Sequence, residues 1–128
     1  MSNADTIGEI VKAMNAHGAW KLRLRAAIVT KNSDVTPDVA RCDDKCEFGK
    51  WLHNSSNAAE IRGTTHYDAV RNLHADFHKC AGEVLYSALN NQTDKANALL
   101  SGTFSQQSHA LMVELTKWKQ ELTPPKAA

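Results

Sequence analysis

The sequence predicts an all-α protein, an antiparallel bundle of the four-helix type with three long helices and a short helix in the middle segment. Apolar residues recur every three or four positions over three long stretches, which is the spacing of one helix face. No stretch alternates apolar and polar residues as a strand would. The 128 residues are the length of one domain, so we expect residues 1–128 to form a single unit.

The first long helix is expected from Asp5 to Lys31. Ser33, Asp34 and Pro37 then signal its end. Lys21, beside the apolar stripe, either extends outward into solvent or marks a dimer seam. The stripe consists of residues spaced by three, four and seven positions: Ile7, Ile10, Met14, His17, Leu24 and Ile28.

The middle of the chain, from about Asn32 to Thr65, is rich in turn-forming residues. It contains the segment Cys46-Glu47-Phe48-Gly49-Lys50-Trp51-Leu52, which is unusually aromatic for a surface loop. We expect this segment to form a short helix or turn that Phe48, Trp51 and Leu52 attach to the core.

Two further long helices follow. One is expected from Thr65 to Asn90, with a weak capping box formed by Thr65 and Asp68. The other opens after Thr93 as its N-cap and ends before Pro124-Pro125. The helix from Thr65 to Asn90 has an apolar stripe that consists of Tyr67, Val70, His74, Phe77, Ala81, Val84 and Ala88. The helix after Thr93 has one that consists of Leu100, Phe104, Leu111, Leu115, Trp118 and Leu122.

Composition excludes several classes of protein. Fifteen Lys and Arg against fourteen Asp and Glu give a net charge of +1, without the basic stripe of a nucleic-acid-binding protein. We expect no membrane span and no signal peptide, because no apolar run is long enough. The expected location is therefore the cytoplasm, where the three cysteines would be thiols or thiolate ligands rather than disulfides.

The histidines suggest a metal. His74 and His78 are four residues apart, so both imidazoles lie on one side of a helix and can share an ion. Ala75 stands where a zincin metalloprotease has its glutamate, which argues against protease chemistry. His17 lies on the core-facing stripe of another helix. Taken alone each histidine is compatible with a hydrogen-bonded core residue, but several buried imidazoles together favour a metal.

A further ligand should be soft or anionic, and the chain offers three cysteines. Cys46 begins the aromatic segment and is expected to press against the bundle. Cys42 lies among charged residues in a stretch expected to be solvated, and Cys80 is one helical step off the core stripe. His53, His66 and His109 fall outside the stripes and are expected on the surface, whereas the tryptophans are expected to be packing residues.

Three segments together resemble the chemoreceptor zinc-binding domain family. They are His17-Gly18-Ala19-Trp20, the Cys46–Leu52 segment, and His74 with His78. The likeness covers nearly the whole chain, and the Cys-x-Phe-Gly-Lys-Trp pattern is its specific part. It implies one Zn²⁺ bound by three histidines and one cysteine, which are here His17, Cys46, His74 and His78. It leaves the roles of Cys42 and Cys80 open.

The resemblance also implies a regulatory helical bundle of bacterial signalling, often a homodimer. Such domains accompany chemoreceptors or diguanylate cyclases and are linked to sensing zinc or oxidants such as hypochlorous acid. The sequence has neither a receptor signalling hairpin nor the cyclase Gly-Gly-Asp/Glu-Glu-Phe motif. We therefore expect either a module excised from a larger signalling protein or a stand-alone domain, which meets its signalling partner in cis or in trans.

A zinc shell of three imidazoles and one thiolate is closed, whereas a catalytic zinc keeps a position for water. We therefore expect no enzymatic activity. We expect Cys46 to be the redox-sensitive ligand, because a thiolate is open to oxidation. The alternatives are a zinc-stabilised dimerisation bundle without a sensing role, an enzyme with an open metal site, and a metal-free bundle whose histidines are core residues.

Overall fold

The computed structural model describes residues 3–54, 61 and 64–123, and these residues contain helices and no strand. The predicted all-α fold class is therefore confirmed. The helices are α1 (Asn3–Gly18), α2 (Trp20–Thr30), α3 (Pro37–Arg41), α4 (Glu47–His53), α5 (Tyr67–Leu89), α6 (Thr93–Leu99), a π-helical segment (Leu100–Phe104) and α7 (Ser105–Leu122).

The first predicted helix is interrupted once, between α1 and α2. Ala19 separates them but keeps right-handed helical backbone angles, and its N–H donates to the carbonyl of Asn15 at 3.2 Å. Gly18 lowers the local helix propensity at this point, which accounts for the irregularity. The last residue of α2 is Thr30, and the C-cap residue Lys31 closes the last turn with a left-handed φ of 56° and an N–H bond to the Ala27 carbonyl.

The middle segment contains a helix that the sequence analysis did not predict. The Thr36 hydroxyl accepts a hydrogen bond from the Val39 N–H at 3.2 Å, and Pro37 occupies the first turn. Proline suits this position because the N–H it lacks would have no partner there. Pro37 therefore begins α3, rather than only ending the helix before it. The predicted short helix is present as α4.

The caps of the later helices differ from prediction. α5 begins at Tyr67 with His66 as its N-cap residue, and the His66 side chain makes no capping hydrogen bond. The N–H of Thr65 instead donates to both carboxylate oxygens of Glu121, at 3.1 and 2.9 Å. Thr93 is the first residue of α6, not its N-cap. The Pro124-Pro125 stop signal lies outside the described residues.

The bundle alternates in direction. Asn3, at the start of α1, donates from Nδ2 to the carbonyl of Leu122 at the end of α7. Thr65, before α5, bonds Glu121 at that same end. α1 and α5 therefore start at the same end of the bundle, and α6 and α7 run towards that end. The middle segment, which connects α2 to α5 along the chain, also returns to it. This is the predicted antiparallel, four-helix type of arrangement.

α5 is the central helix and packs against α2, α3, α6 and α7. Its predicted stripe is buried throughout, and so are most stripe residues of the other helices. Lys21 is exposed, so it does not belong to the core of this chain. The tryptophans are buried as predicted: Trp20, Trp51 and Trp118.

Candidate metal centre

Four side chains from three elements meet inside the bundle. His17 lies in the last turn of α1, and His74 and His78 lie one turn apart on the buried face of α5. Cys46 is the N-cap residue of α4, where its sulfur accepts the Gly49 N–H at 3.3 Å. The histidines are at most 1% exposed, and Cys46 is half-buried. The structure thus brings together the four residues to which the resemblance pointed.

Their donor atoms converge on one point. The Nε2 atom of His17 lies 3.0 Å from Nε2 of His74 and 3.2 Å from Nε2 of His78. The Cys46 sulfur lies 3.4 Å from Nε2 of His74 and 3.8 Å from that of His17. All four atoms lie within 4.8 Å of one another. A tetrahedral zinc with ordinary bond lengths separates its ligand atoms by about 3.3–3.6 Å, so the spacing fits such an ion.

The other ring nitrogens determine where the protons are. Nδ1 of His17 lies 2.8 Å from the Ala13 carbonyl, and Nδ1 of His78 lies 3.0 Å from the Ala40 carbonyl. A carbonyl only accepts, so each Nδ1 is the donor and each Nε2 of a neutral ring presents a lone pair. Two lone pairs 3.2 Å apart repel each other, whereas a cation between them is stabilised by both. This pattern also orients imidazoles in known metal sites.

His74 differs from the other two histidines. Its Nδ1 atom is buried and has no hydrogen-bond partner among the described residues. Its orientation therefore comes from packing, with the Phe48 ring edge-on at 5.2 Å. Its Nε2 still faces the sulfur of Cys46 and the nitrogen of His17.

Burial sets the protonation states. It lowers the pKa of His17 to about 4 and that of His74 to about 2, and it also lowers the pKa of His78. The imidazoles are therefore neutral at pH 7, which is the form that binds a metal. Burial raises the pKa of the Cys46 thiol, although the Gly49 N–H opposes this shift. A metal that binds here must therefore displace the thiol proton.

Aromatic rings enclose the site on the side of α4. Phe48 packs edge-on to His17 and His74 and stacks on Trp51 at 5.8 Å. Trp51 in turn contacts Trp118 of α7 at 6.1 Å. A movement of Cys46 would thus be transmitted through Phe48 to the packing between α4 and α7.

One side of the site opens into a cavity of about 430 Å³, whose lining includes Phe48. His17, His78 and Cys46 form part of its wall, and Trp20 and Cys42 contribute further surface. The ligand cluster is therefore buried yet can be reached from one side.

The remaining histidines and cysteines lie outside the cluster. His53 bonds Asp43 at 3.0 Å and His66 bonds Glu114 at 2.9 Å, both near the surface, and His109 is exposed. Cys42 is half-buried rather than solvated, and Cys80 is buried in α5. No further group of three potential ligands occurs within the part of the chain that the structure describes.

The sequence analysis missed the two backbone carbonyls that orient the imidazoles. Ala13 is one turn before His17 on α1, so its carbonyl is within reach of that ring on any regular helix. Ala40 lies on α3, whose start is marked by Thr36-Pro37. That dipeptide was the available signal for the helix that carries the second carbonyl.

The described helices include none that is long and apolar enough to cross a membrane. No curated protein matches the chain. No solved structure matches it either. The family model of the chemoreceptor zinc-binding domain matches residues 17–85, a span that begins at His17 and contains all four converging side chains. That family is a regulatory zinc-binding one and not a catalytic one. Because the match covers more than half of the chain, the protein belongs to the chemoreceptor zinc-binding domain family.

Proposed function

We propose that this chain is a zinc-binding regulatory domain of bacterial signalling, and that His17, Cys46, His74 and His78 hold one Zn²⁺. The observation that carries the proposal is the convergence of three Nε2 atoms and one sulfur within 4.8 Å inside the bundle. Neutral imidazoles with their second nitrogens on carbonyls, beside a thiol, are the donor set that zinc prefers.

This ligand set suits regulation better than catalysis. Zinc bound by three imidazoles and one thiolate supplies a closed tetrahedral shell without a position for a reacting water. The four residues come from α1, α4 and α5, and His78 is hydrogen-bonded to α3. Occupancy of the site would therefore hold together helices that are distant in sequence, and loss of the ion would loosen them.

Oxidation offers a second input at the same site. Cys46 is part of the cavity lining, which gives an oxidant such as hypochlorous acid a route to it. An oxidised sulfur is a poorer ligand than a thiolate. Cys46 is also the N-cap residue of α4, so its displacement would release the start of that helix and shift Phe48 and Trp51.

The partner of the domain is proposed to be a signalling domain, in cis or in trans, of the chemoreceptor or cyclase type in the cytoplasm. Self-association belongs to the same proposal. Leu22 and Val29 lie two turns apart on α2 and are 68% and 79% exposed. Two large apolar side chains exposed on one helix face favour contact with a second copy. This face also supports the second candidate function, a zinc-stabilised dimerisation bundle without a sensing role.

Zinc content of protein purified without metal-affinity chromatography tests the proposal. We expect about one zinc per chain in the wild type, and a loss or marked weakening in Cys46→Ala and His78→Ala. His109→Ala is the matched control, because His109 is exposed and outside the cluster. Circular dichroism verifies that each variant is helical. A folded wild-type protein that takes up no zinc would overturn the proposal.

Oxidant titration separates the two candidate functions. A sensor loses zinc and changes its tryptophan emission when Cys46 is oxidised. A structural bundle keeps its zinc and its emission at the same oxidant concentration.

A further inference from the structure

Cys42 is a thiol to which the proposed zinc site gives no role. It follows α3 as the C-cap residue and is half-buried. Its Sγ donates to the Asp38 carbonyl at 3.2 Å, and it is not one of the four converging ligands. It is nevertheless separated from Cys46 by only three residues.

The two cysteines face the same space. Both line the cavity of about 430 Å³ that opens onto the ligand cluster. The chain between them turns at Asp43 and Asp44 and bends at Lys45 and Cys46, so it folds back instead of extending. The chain that joins the two cysteines is therefore short and turned back on itself, and a disulfide between them would close a loop with only three residues inside it.

Gly49 shows how closely this turn lies against Cys46. A Cβ atom at position 49 would lie 1.7 Å from the Asp43 carbonyl oxygen, so the Asp43 backbone rests directly on Gly49. The N–H of the same residue donates to the Cys46 sulfur at 3.3 Å. The residue next to Cys42 and the sulfur of Cys46 therefore contact one glycine from two directions.

We propose that Cys42 is the resolving thiol of Cys46 and forms an intramolecular disulfide with it after oxidation. The inference rests on the proposed redox input at Cys46. A two-electron oxidant of the hypochlorous acid class transfers its oxygen to the Cys46 thiolate, which gives a sulfenic acid and a chloride ion. The deprotonated Cys42 sulfur then attacks the Cys46 sulfur. The S–O bond breaks, the S–S bond forms, and the leaving hydroxide takes up the Cys42 proton as water.

The disulfide changes what oxidation does to the site. It removes the Cys46 thiolate from the ligand set, whereas formation of the sulfenic acid alone only makes this sulfur a poorer ligand. It also stops the sulfur from advancing to the irreversible sulfinic state, so thiol reductants restore the ligand. Cys80 does not compete, because it is 4% exposed on α5 and does not line the cavity.

Trypsin provides a direct readout on the wild-type chain. Cleavage after Arg41, Lys45 and Lys50 places the two cysteines in separate peptides, Cys42–Lys45 and Cys46–Lys50. After the zinc-loaded protein is treated with about one equivalent of hypochlorous acid and free thiols are alkylated, we expect these peptides to be joined by a disulfide. Reduction before digestion should separate them and restore zinc binding.

Two variants give the comparison. In Cys42→Ser the linked peptide cannot form, and we expect Cys46 to advance to sulfinic acid and zinc binding not to recover on reduction. Cys80→Ser should behave as the wild type does.

The inference is overturned, and oxidant sensing left intact, if Cys46 of the wild-type protein becomes sulfinic acid while Cys42 remains a free thiol that the alkylating reagent modifies. An unoxidised Cys46 that keeps its zinc would overturn the redox part of the proposed function, and the resolving role with it.

Discussion

The substitution Gly49→Ala should destabilise this domain and weaken its metal site together. The added Cβ would lie 1.7 Å from the Asp43 carbonyl oxygen, 2.8 Å from the Asp43 carbonyl carbon and 3.1 Å from the Asp44 Cα. These are backbone atoms, so no side-chain rotation relieves the overlap. The turn or the start of α4 must retreat by more than 1 Å to restore a contact of 3.0 Å.

The magnitude follows from two opposing effects. Alanine in place of glycine within a helix favours the folded state by about 1 kcal/mol. Overpacking against a rigid neighbour costs about 1–3 kcal/mol. We therefore expect the free energy of unfolding of the metal-free protein to fall by up to about 2 kcal/mol. Because the Gly49 N–H bonds the Cys46 sulfur, the same retreat should weaken zinc binding about 10-fold or more.

The assay uses a matched pair of variants. Gly8 is also a helical glycine, but a Cβ there meets nothing within 4 Å. Gly8→Ala should therefore raise the free energy of unfolding by about 1 kcal/mol and leave zinc affinity unchanged. Urea titration of chelator-treated protein measures stability, and competition with a chromogenic chelator measures zinc affinity. The reasoning is refuted if Gly49→Ala is as stable as Gly8→Ala and binds zinc as tightly.

Three further predictions concern pH, protons and self-association. Burial lowers the pKa of His17 to about 4 and of His74 to about 2, so below pH 6.5 the unfolded chain binds more protons than the folded one. The free energy of unfolding of the metal-free protein should therefore fall by about 1 kcal/mol per histidine for each pH unit from 6.5 down to 4. Urea unfolding measures this, and equal midpoints at pH 7.5 and pH 5 would contradict it. The histidines of the cluster are already neutral at pH 7, whereas the pKa of the Cys46 thiol is raised. Zinc binding at pH 7 should therefore release about one proton, from this thiol, which calorimetry in two buffers measures. A release of three protons would refute the assigned protonation states. Val29→Lys should reduce self-association through the exposed face of α2. If its sedimentation coefficient equals that of the wild type over a range of concentrations, that face is excluded.

The fold was predictable because helical periodicity survives local irregularities. The stripe through His17 and Leu24 has the same spacing whether or not Ala19 interrupts the helix, so it predicts the helix and conceals the break. α3 was missed for a different reason. Its five residues are too short for a periodic signal, and its cap and Pro37 were the remaining evidence.

The site was predictable only in part from the residues themselves. Periodicity alone placed His17 and His74 on buried faces, and the pair spacing added His78. The aromatic segment after Cys46 favoured this cysteine and the family resemblance made it the expected ligand, but local sequence alone does not settle which sulfur meets the imidazoles. That depends on the turn at Asp43 and Asp44, whose packing on Gly49 is a tertiary contact.

The π-helical segment Leu100–Phe104 determines the angular phase of the last helix. Ala96, Leu100 and Phe104 are all buried although they are spaced by four, and a wide turn absorbs the drift that such spacing causes on a regular helix. If the same residues bonded as a regular α-helix, α7 would be rotated by about 100° relative to α6. Trp118 would then turn away from Trp51 and from the rings that pack on the proposed zinc ligands. An irregularity remote from the proposed metal site thus sets the orientation of the α7 surface against which α4 packs.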